Sequence, residues 1–349
     1  MGRRLILTLP AGLFAGLIAV ACWINLTRPA LVDFISFWHA SGLILQGKAA
    51  AVYAIQPSWV GELMPLAYPP PFLLFIAPLG LASLGVAFTL WVAVTGLFYV
   101  LASRAGFRLA LANPAAAYTG MVGQNGFLTA AIMLQAAHWL RSRPLLGGAL
   151  FGLMIIKPQL ALLVPLALAA GGYWRAFLAA AVSSITLLVL AALVFGLDAY
   201  RGAFDVMPQY AAFLEQGRWP WNQLASVFAF MRWLGASRSM ALAVHAAVAV
   251  FAAAMVWRAW RQDWEAKVPV LAAAALLISP YLFSYDAPLL IAPLAWLAAR
   301  RPAVAAAVWI LALPPLFASF GLYSGPNTLP IAVLVSLLAL RYKAEPAEL

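Results

Sequence analysis

The chain has 349 residues, of which 66% are hydrophobic and only 9% charged, with a mean hydropathy of +0.95. Soluble domains carry about 25% charged residues, so a soluble fold is excluded and the composition describes a polytopic integral membrane protein, all-α in class. The formal net charge of +11 falls in short clusters between apolar runs, the positive-inside pattern, and no soluble basic domain is present to bind nucleic acid.

The first apolar run, Leu5 to Leu26, is 22 residues without a charge, long enough to cross a bilayer. Its one cysteine, Cys22, is the only cysteine in the chain, so no internal disulfide forms. Val20-Ala21-Cys22 faintly resembles a lipoprotein signal, but Ala19 stands where such a signal has Leu and the run continues past the cysteine, so an uncleaved first span is expected. Asp33 follows in a chain with only 10 acidic residues. A carboxylate near a bilayer is costly and is usually functional. Two readings stand side by side for Asp33: the N-cap of a juxtamembrane helix and a general base for an acceptor hydroxyl.

Residues 27–71 read as a first external loop, with Trp38 to Gly47 and Ser58 to Leu63 as short amphipathic helices in the interface. Tyr68 and the three prolines at 69–71 make a stiff entry into the next helix; Tyr68 and Trp59 also offer aromatic faces to a sugar or lipid. Pro70 to Ala82 and Leu84 to Ala102 form either two spans or one span and a partly inserted hairpin. Further apolar runs follow at Leu109–Val122, Phe127–Leu140, Leu145–Ile156, Leu160–Ala170, Leu178–Phe195, Met240–Trp257, Val268–Ile278, Ala287–Ala299, Ala303–Phe320 and Leu329–Leu340. Some 11 to 13 membrane segments are expected. Several are shorter than the roughly 20 residues of an independent span, and broken helices are tolerated where they line a cavity inside protein. One transmembrane domain over residues 1–349 is expected, with 196–223 as a second external loop and no appended carbohydrate-binding domain.

Basic clusters at Arg3-Arg4, Arg104/Arg108, Arg141/Arg143, Arg175, Arg258 to Lys267, Arg300-Arg301 and Arg341/Lys343 mark the cytoplasmic turns. The polar elements between them then share the other face: 27–71, Gly123-Gln124-Asn125, Lys157-Pro158-Gln159, 196–223, 279–286 and 324–327. Lys157 reads either as a snorkelling lysine at a span end or, beside the helix break at Pro158, as a cation for a phosphate. Gln124, Asn125, Gln159, Asn222, Gln223, Tyr285 and Asp286 supply hydrogen-bonding side chains of the kind that read sugar hydroxyls; each is also compatible with loop chemistry or a cap, and Asn222 would cap a helix starting at Leu224. No phosphate-binding glycine loop, HExxH or GxSxG pattern is present. His39, His138 and His245 are too scattered for a metal centre, so neither metal nor cofactor is expected.

Asp33, Gly42 to Gly47 with Val52-Tyr53, Tyr68 to Phe72, Gly123 to Asn125, Gly148 to Gln159, Asn222-Gln223 and Ser279 to Asp286 come in an order and spacing that resembles the family 87 glycosyltransferases, membrane enzymes of the GT-C superfamily. The resemblance spans roughly residues 30 to 300. It implies a GT-C-like helical bundle that takes a sugar, mannose or arabinofuranose or another hexose or pentose, from a polyprenyl-phosphate donor. The acceptor would be a glycolipid or glycan on the extracytoplasmic face of a bacterial plasma membrane. It also implies Asp33 as the base. Phe34 follows Asp33 where the metal-dependent branch has a second carboxylate, which speaks against a metal. The chemistry of the residues agrees: a base for the acceptor at Asp33, a cation for the departing phosphate at Lys157, and inversion at the anomeric carbon. The rival class is a transporter or flippase for a lipid-linked sugar, which predicts paired charges inside the spans and internal repeats. An assembly subunit without catalysis is a second rival.

Overall fold

The computed structural model describes residues 2–27, 33–58, 61–63, 65–215 and 221–341. Five helices within it are long and apolar enough to cross a membrane: Thr8–Thr27, Leu84–Ser103, Trp174–Phe195, Arg238–Arg261 and Pro302–Ser319. Most of their side chains face outward rather than into the protein, as surfaces in contact with lipid do. The protein is an all-α integral membrane protein.

The other apolar runs are shorter, and several form halves that meet at breaks. Pro114–Val122 and Gly126–Trp139 are separated by Gly123 to Asn125. Pro144–Leu153 continues through a 3-10 turn to Ile156, and after Lys157 the chain resumes helix at Pro158–Ala161 and Val164–Ala170. Lys267–Ala275 and Ile291–Arg300 flank an irregular stretch that ends in the 3-10 helix Ser284–Leu290. Each break has a local cause. Pro114 and Pro158 sit at helix starts, where a missing N–H costs nothing, and Gly123 takes the left-handed conformation, φ 70°, that ends the helix before it.

These halves set one distance that matters. Gly126–Trp139, Pro144–Leu153, Lys267–Ala275 and Ile291–Arg300 each carry a break residue at one end and a basic turn at the other. With helices of 9 to 14 residues, the breaks lie on the order of 15–20 Å from the basic turns. That is about half to two thirds of the roughly 30 Å hydrocarbon thickness.

In the first loop, Phe34–Leu45 is helical, as read from the sequence, and packs on the short segment Pro70–Leu81. At 12 residues each, about 18 Å, neither crosses a bilayer, which favours the hairpin over a second full span. The helix expected over Ser58 to Leu63 is instead a small antiparallel hairpin, Gln56–Ser58 with Gly61–Leu63; Pro57 and Gly61 disfavour helix there. Trp59, and Arg218 to Pro220 in the other loop, lie outside the described residues. The expected loop at 196–223 is largely the helix Leu197–Glu215. It buries Ala199, Ala203 and Val206 and packs over the 3-10 turn Ala49–Tyr53.

Candidate functional site

The three breaks converge. Lys157 is 2% exposed, and its ammonium pairs with the Asp286 carboxylate and donates to Asn125 Oδ1 at 2.9 Å. Asp286 accepts a second hydrogen bond on Oδ2 from the Phe283 backbone N–H at 3.3 Å. The Lys157 Nζ also lies over the rings of Tyr285 at 4.7 Å and Tyr68 at 5.3 Å, within range for cation–π attraction. Lys157 therefore does not snorkel. It is the buried centre of the site, and Asp286 is its counter-ion.

From the two rings that face the lysine a chain of polar contacts runs outward. The Tyr285 and Tyr68 hydroxyls are within bonding reach of each other. Tyr68 donates to Gln124 Oε1 at 3.0 Å, and the Gln124 side chain is close enough to Asp33 to favour its charged form. Asp33 occupies the N-cap position of Phe34–Leu45, but its backbone is helical there and its side chain makes no cap bond. The carboxylate is free of the cap role and turned to Gln124. It is exposed yet walled by protein on several sides. That partial loss of water raises its carboxyl above the usual range, and the Gln124 side chain partly opposes the rise.

Residues not singled out in the sequence hold the frame. Thr119 donates to the Tyr285 carbonyl at 2.9 Å, and Asn113 Nδ2 to the Pro288 carbonyl at 3.2 Å. Asn113 also caps the following helix by accepting from Ala115 N–H. Asn113-Pro114 is a recognisable helix start in sequence; Thr119 gave no signal inside its apolar run. Ser284 donates to the Gln223 carbonyl and accepts from Asn327 Nδ2 at 2.8 Å. All six polar elements expected on one face thus meet around this cluster, with Tyr210 bonded to the Pro65 carbonyl.

Asp33, Tyr68, Gln124, Asn125, Lys157, Tyr285 and Asp286 come together. Gln159 is half-buried on the turn after Lys157, Asn222 is half-buried and Gln223 exposed; among the described residues their side chains are not hydrogen-bonded into the cluster. Asn222 does not cap a helix at Leu224. Leu224 and Ala225 instead pair by backbone with Phe283 and Leu282, and Ser226 caps the helix Val227–Trp233. No group of three His, Cys, Asp or Glu side chains able to hold a metal exists among the described residues.

A buried Lys–Asp pair between broken helices is the feature the sequence reading reserved for a transporter, so its presence corrects that distinction. Family membership decides the class. The sequence model of glycosyltransferase family 87 matches residues 66–280, well over half of the chain, and the protein belongs to that family: it is a membrane glycosyltransferase. No curated protein and no solved structure matches the chain.

Proposed function

We propose that this protein transfers a sugar from a polyprenyl-phosphate donor to a glycolipid or glycan acceptor on the extracytoplasmic face, with inversion. Asp33 accepts the proton of the acceptor hydroxyl as its oxygen bonds to the anomeric carbon. The bond from that carbon to the phosphate oxygen breaks, and its electron pair leaves with the polyprenyl phosphate. A lipid phosphate is already a weakly basic leaving group, so it needs charge stabilisation more than a proton.

The observation that carries this reading is the placement of Asp33. It is an accessible carboxylate that makes no cap bond, and Gln124 and Tyr68 stand between it and a buried cation that lies over the Tyr68 ring. Its raised pKa strengthens it as a base near neutral pH. At the inner end, two of the three donors of the Lys157 ammonium are engaged, and the buried Nδ2 of Asn125 has no partner among the described residues. A phosphate oxygen beside Asn125 and Lys157 would satisfy both. Gln159 lies two residues after Lys157 and the Gln223 carbonyl accepts from Ser284; these two and Asn222 are assigned to sugar or acceptor contacts.

The test is transfer in membranes supplied with polyprenyl-phosphate mannose or polyprenyl-phosphate arabinofuranose and an envelope glycolipid extract. Asp33→Asn is expected to lose on the order of 10²- to 10⁴-fold in rate while retaining wild-type amounts of folded protein. Undiminished transfer by Asp33→Asn would sink the assignment.

A further inference from the structure

Gln124 and Tyr68 were read as sugar-binding side chains, and a sugar-binding residue needs free polar atoms. These two have few to offer. The Tyr68 hydroxyl is spent on Gln124 and faces the Tyr285 hydroxyl, and the Gln124 oxygen is spent on Tyr68. Both side chains are buried. An amide whose oxygen accepts from a fixed phenol must present its NH₂ on the other side, which is where Asp33 lies.

We infer that Tyr68 and Gln124 are positioning residues for the Asp33 carboxylate: the phenol fixes the amide, and the amide holds one carboxylate oxygen so that the other faces the acceptor. This rests on the reading of Asp33 as base.

The scaffold around the pair is stiff. The Tyr68 ring is wedged between Phe72, with centroids 4.5 Å apart, and Phe37, 5.6 Å away. Phe34, next in chain to Asp33, packs edge-on against Phe88 at 5.4 Å, and Gly123, next to Gln124, sits directly against the Phe88 ring and the Phe34 Cβ. Asp33 and Gln124 are thus set by adjacent residues locked on the same aromatic floor. Among the described residues, the groups besides Gln124 in electrostatic range of Asp33 are phenols from separate elements: Tyr68, Tyr118, Tyr210 and Tyr285. Phenols are uncharged where a carboxylate titrates, and the Lys157–Asp286 pair beyond them sums to zero charge. The acidic limb of the rate profile therefore reports Asp33.

The experiment measures kcat, KM and the pH profile of transfer from polyprenyl-phosphate mannose or arabinofuranose, whichever the wild type uses. Gln124→Met keeps the length and removes the donor; Tyr68→Phe keeps the ring over Lys157 and removes the hydroxyl. For Gln124→Met, kcat is expected to fall about ten- to a hundredfold with KM nearly unchanged. A hydrogen bond to the charged form lowers a carboxyl pKa, so its loss moves the acidic limb to higher pH. Tyr68→Phe should shift the limb the same way by less, because the amide remains, and it serves as the probe if Gln124→Met does not fold. A raised KM with the acidic limb unmoved in both variants overturns the inference and returns the residues to sugar binding. An active Asp33→Asn instead removes the base itself. An inactive Asp33→Asn with an unmoved limb in Gln124→Met leaves the base standing and removes only the positioning role.

Discussion

Two sets of charges sit at opposite ends of the same helices and are built on opposite rules. At the breaks, Lys157 and Asp286 are 2% and 1% exposed, and they are met by Asn125, the Phe283 backbone N–H and the faces of Tyr285 and Tyr68. At the basic turns, Arg141 and Asp263 are 69% and 56% exposed. There the guanidinium groups lie over tryptophans: Arg143 on Trp139, Arg258 on Trp264, Arg300 on Trp296. The first set is taken out of water and must be satisfied within the protein. The second, apart from the buried Lys267, stays in water and borrows ring faces at an interface where tryptophan is at home. Equal charges therefore carry unequal consequences, and substitutions at the two ends measure the difference.

The largest effect is expected at the ion pair. Lys157→Met leaves Asp286 buried without its counter-ion and should destabilise the protein by about 3–5 kcal/mol; Asp286→Leu should do the same by stranding the lysine. The double variant Lys157→Met/Asp286→Leu should recover much of that loss, since a buried pair is worth little over a well-packed apolar substitute. Heating the detergent-solubilised protein and following the folded fraction by size-exclusion chromatography gives the three stabilities. Sugar transfer should stay lost in the double variant, which separates the pair's chemistry from its structural role. Single variants as stable as the double would show that water reaches the pair.

This pair also marks where reading the sequence stops. The breaks themselves were legible: a proline beside a lysine between two short apolar runs at 157, a polar triplet at 123–125, and Ser279 to Asp286 between two others. Their convergence followed from the spacing of the basic clusters. What no local pattern contains is that Lys157 meets a carboxylate 129 residues away, so Asp286 read as a sugar ligand rather than a counter-ion. The helix Leu197–Glu215 was hidden for a different reason. Gly202, Pro208 and the charges Asp198, Arg201 and Asp205 give it a loop's composition, while the buried positions Ala199, Ala203 and Val206 are small and weakly apolar. The cap position of Asp33 was read correctly, but the direction of its side chain depends on Gln124, which only the fold brings near.

A pair of glycines sharpens the comparison at the next level. Gly123 at the break and Gly172 at a basic turn share the same left-handed backbone, φ 70°. A Cβ on Gly123 would meet Phe88 and Phe34 atoms at 2.6–2.9 Å, whereas one on Gly172 meets nothing within 4 Å. Gly172→Ala should carry only the cost of a left-handed alanine, about 1 kcal/mol. Gly123→Ala adds displacement of the aromatic floor and should reach about 2–3 kcal/mol. It should also lower kcat, because Gln124 moves with it. The same heating assay and the transfer assay read both; equal melting of the two variants would mean that the rings yield freely.

The smallest effect is expected among the exposed charges, and there pH and salt give it a signature. Asp263 bonds Lys267 and Arg141, and these cations, Lys267 first, hold its carboxyl below the usual range. A carboxyl whose pKa is lower in the folded than in the unfolded state adds stability above its unfolded value, and that stability is lost as pH falls through the folded value. Asp263 also sits in a left-handed conformation, φ 51°, which asparagine tolerates as well as aspartate does. Asp263→Asn therefore removes the charge without adding backbone strain. Its melting temperature should lie slightly below wild type at neutral pH, for a cost under about 1 kcal/mol given its exposure. The gap should close in acid as the wild-type carboxyl protonates, and it should narrow in high salt, where exposed pairs are screened. Lys157→Met, whose charges lie out of reach of the salt, should keep its full deficit under the same ionic strength. A gap at Asp263 that ignores salt would mean that this turn is buried against lipid or another surface, and the contrast between the two ends of the helices would no longer hold.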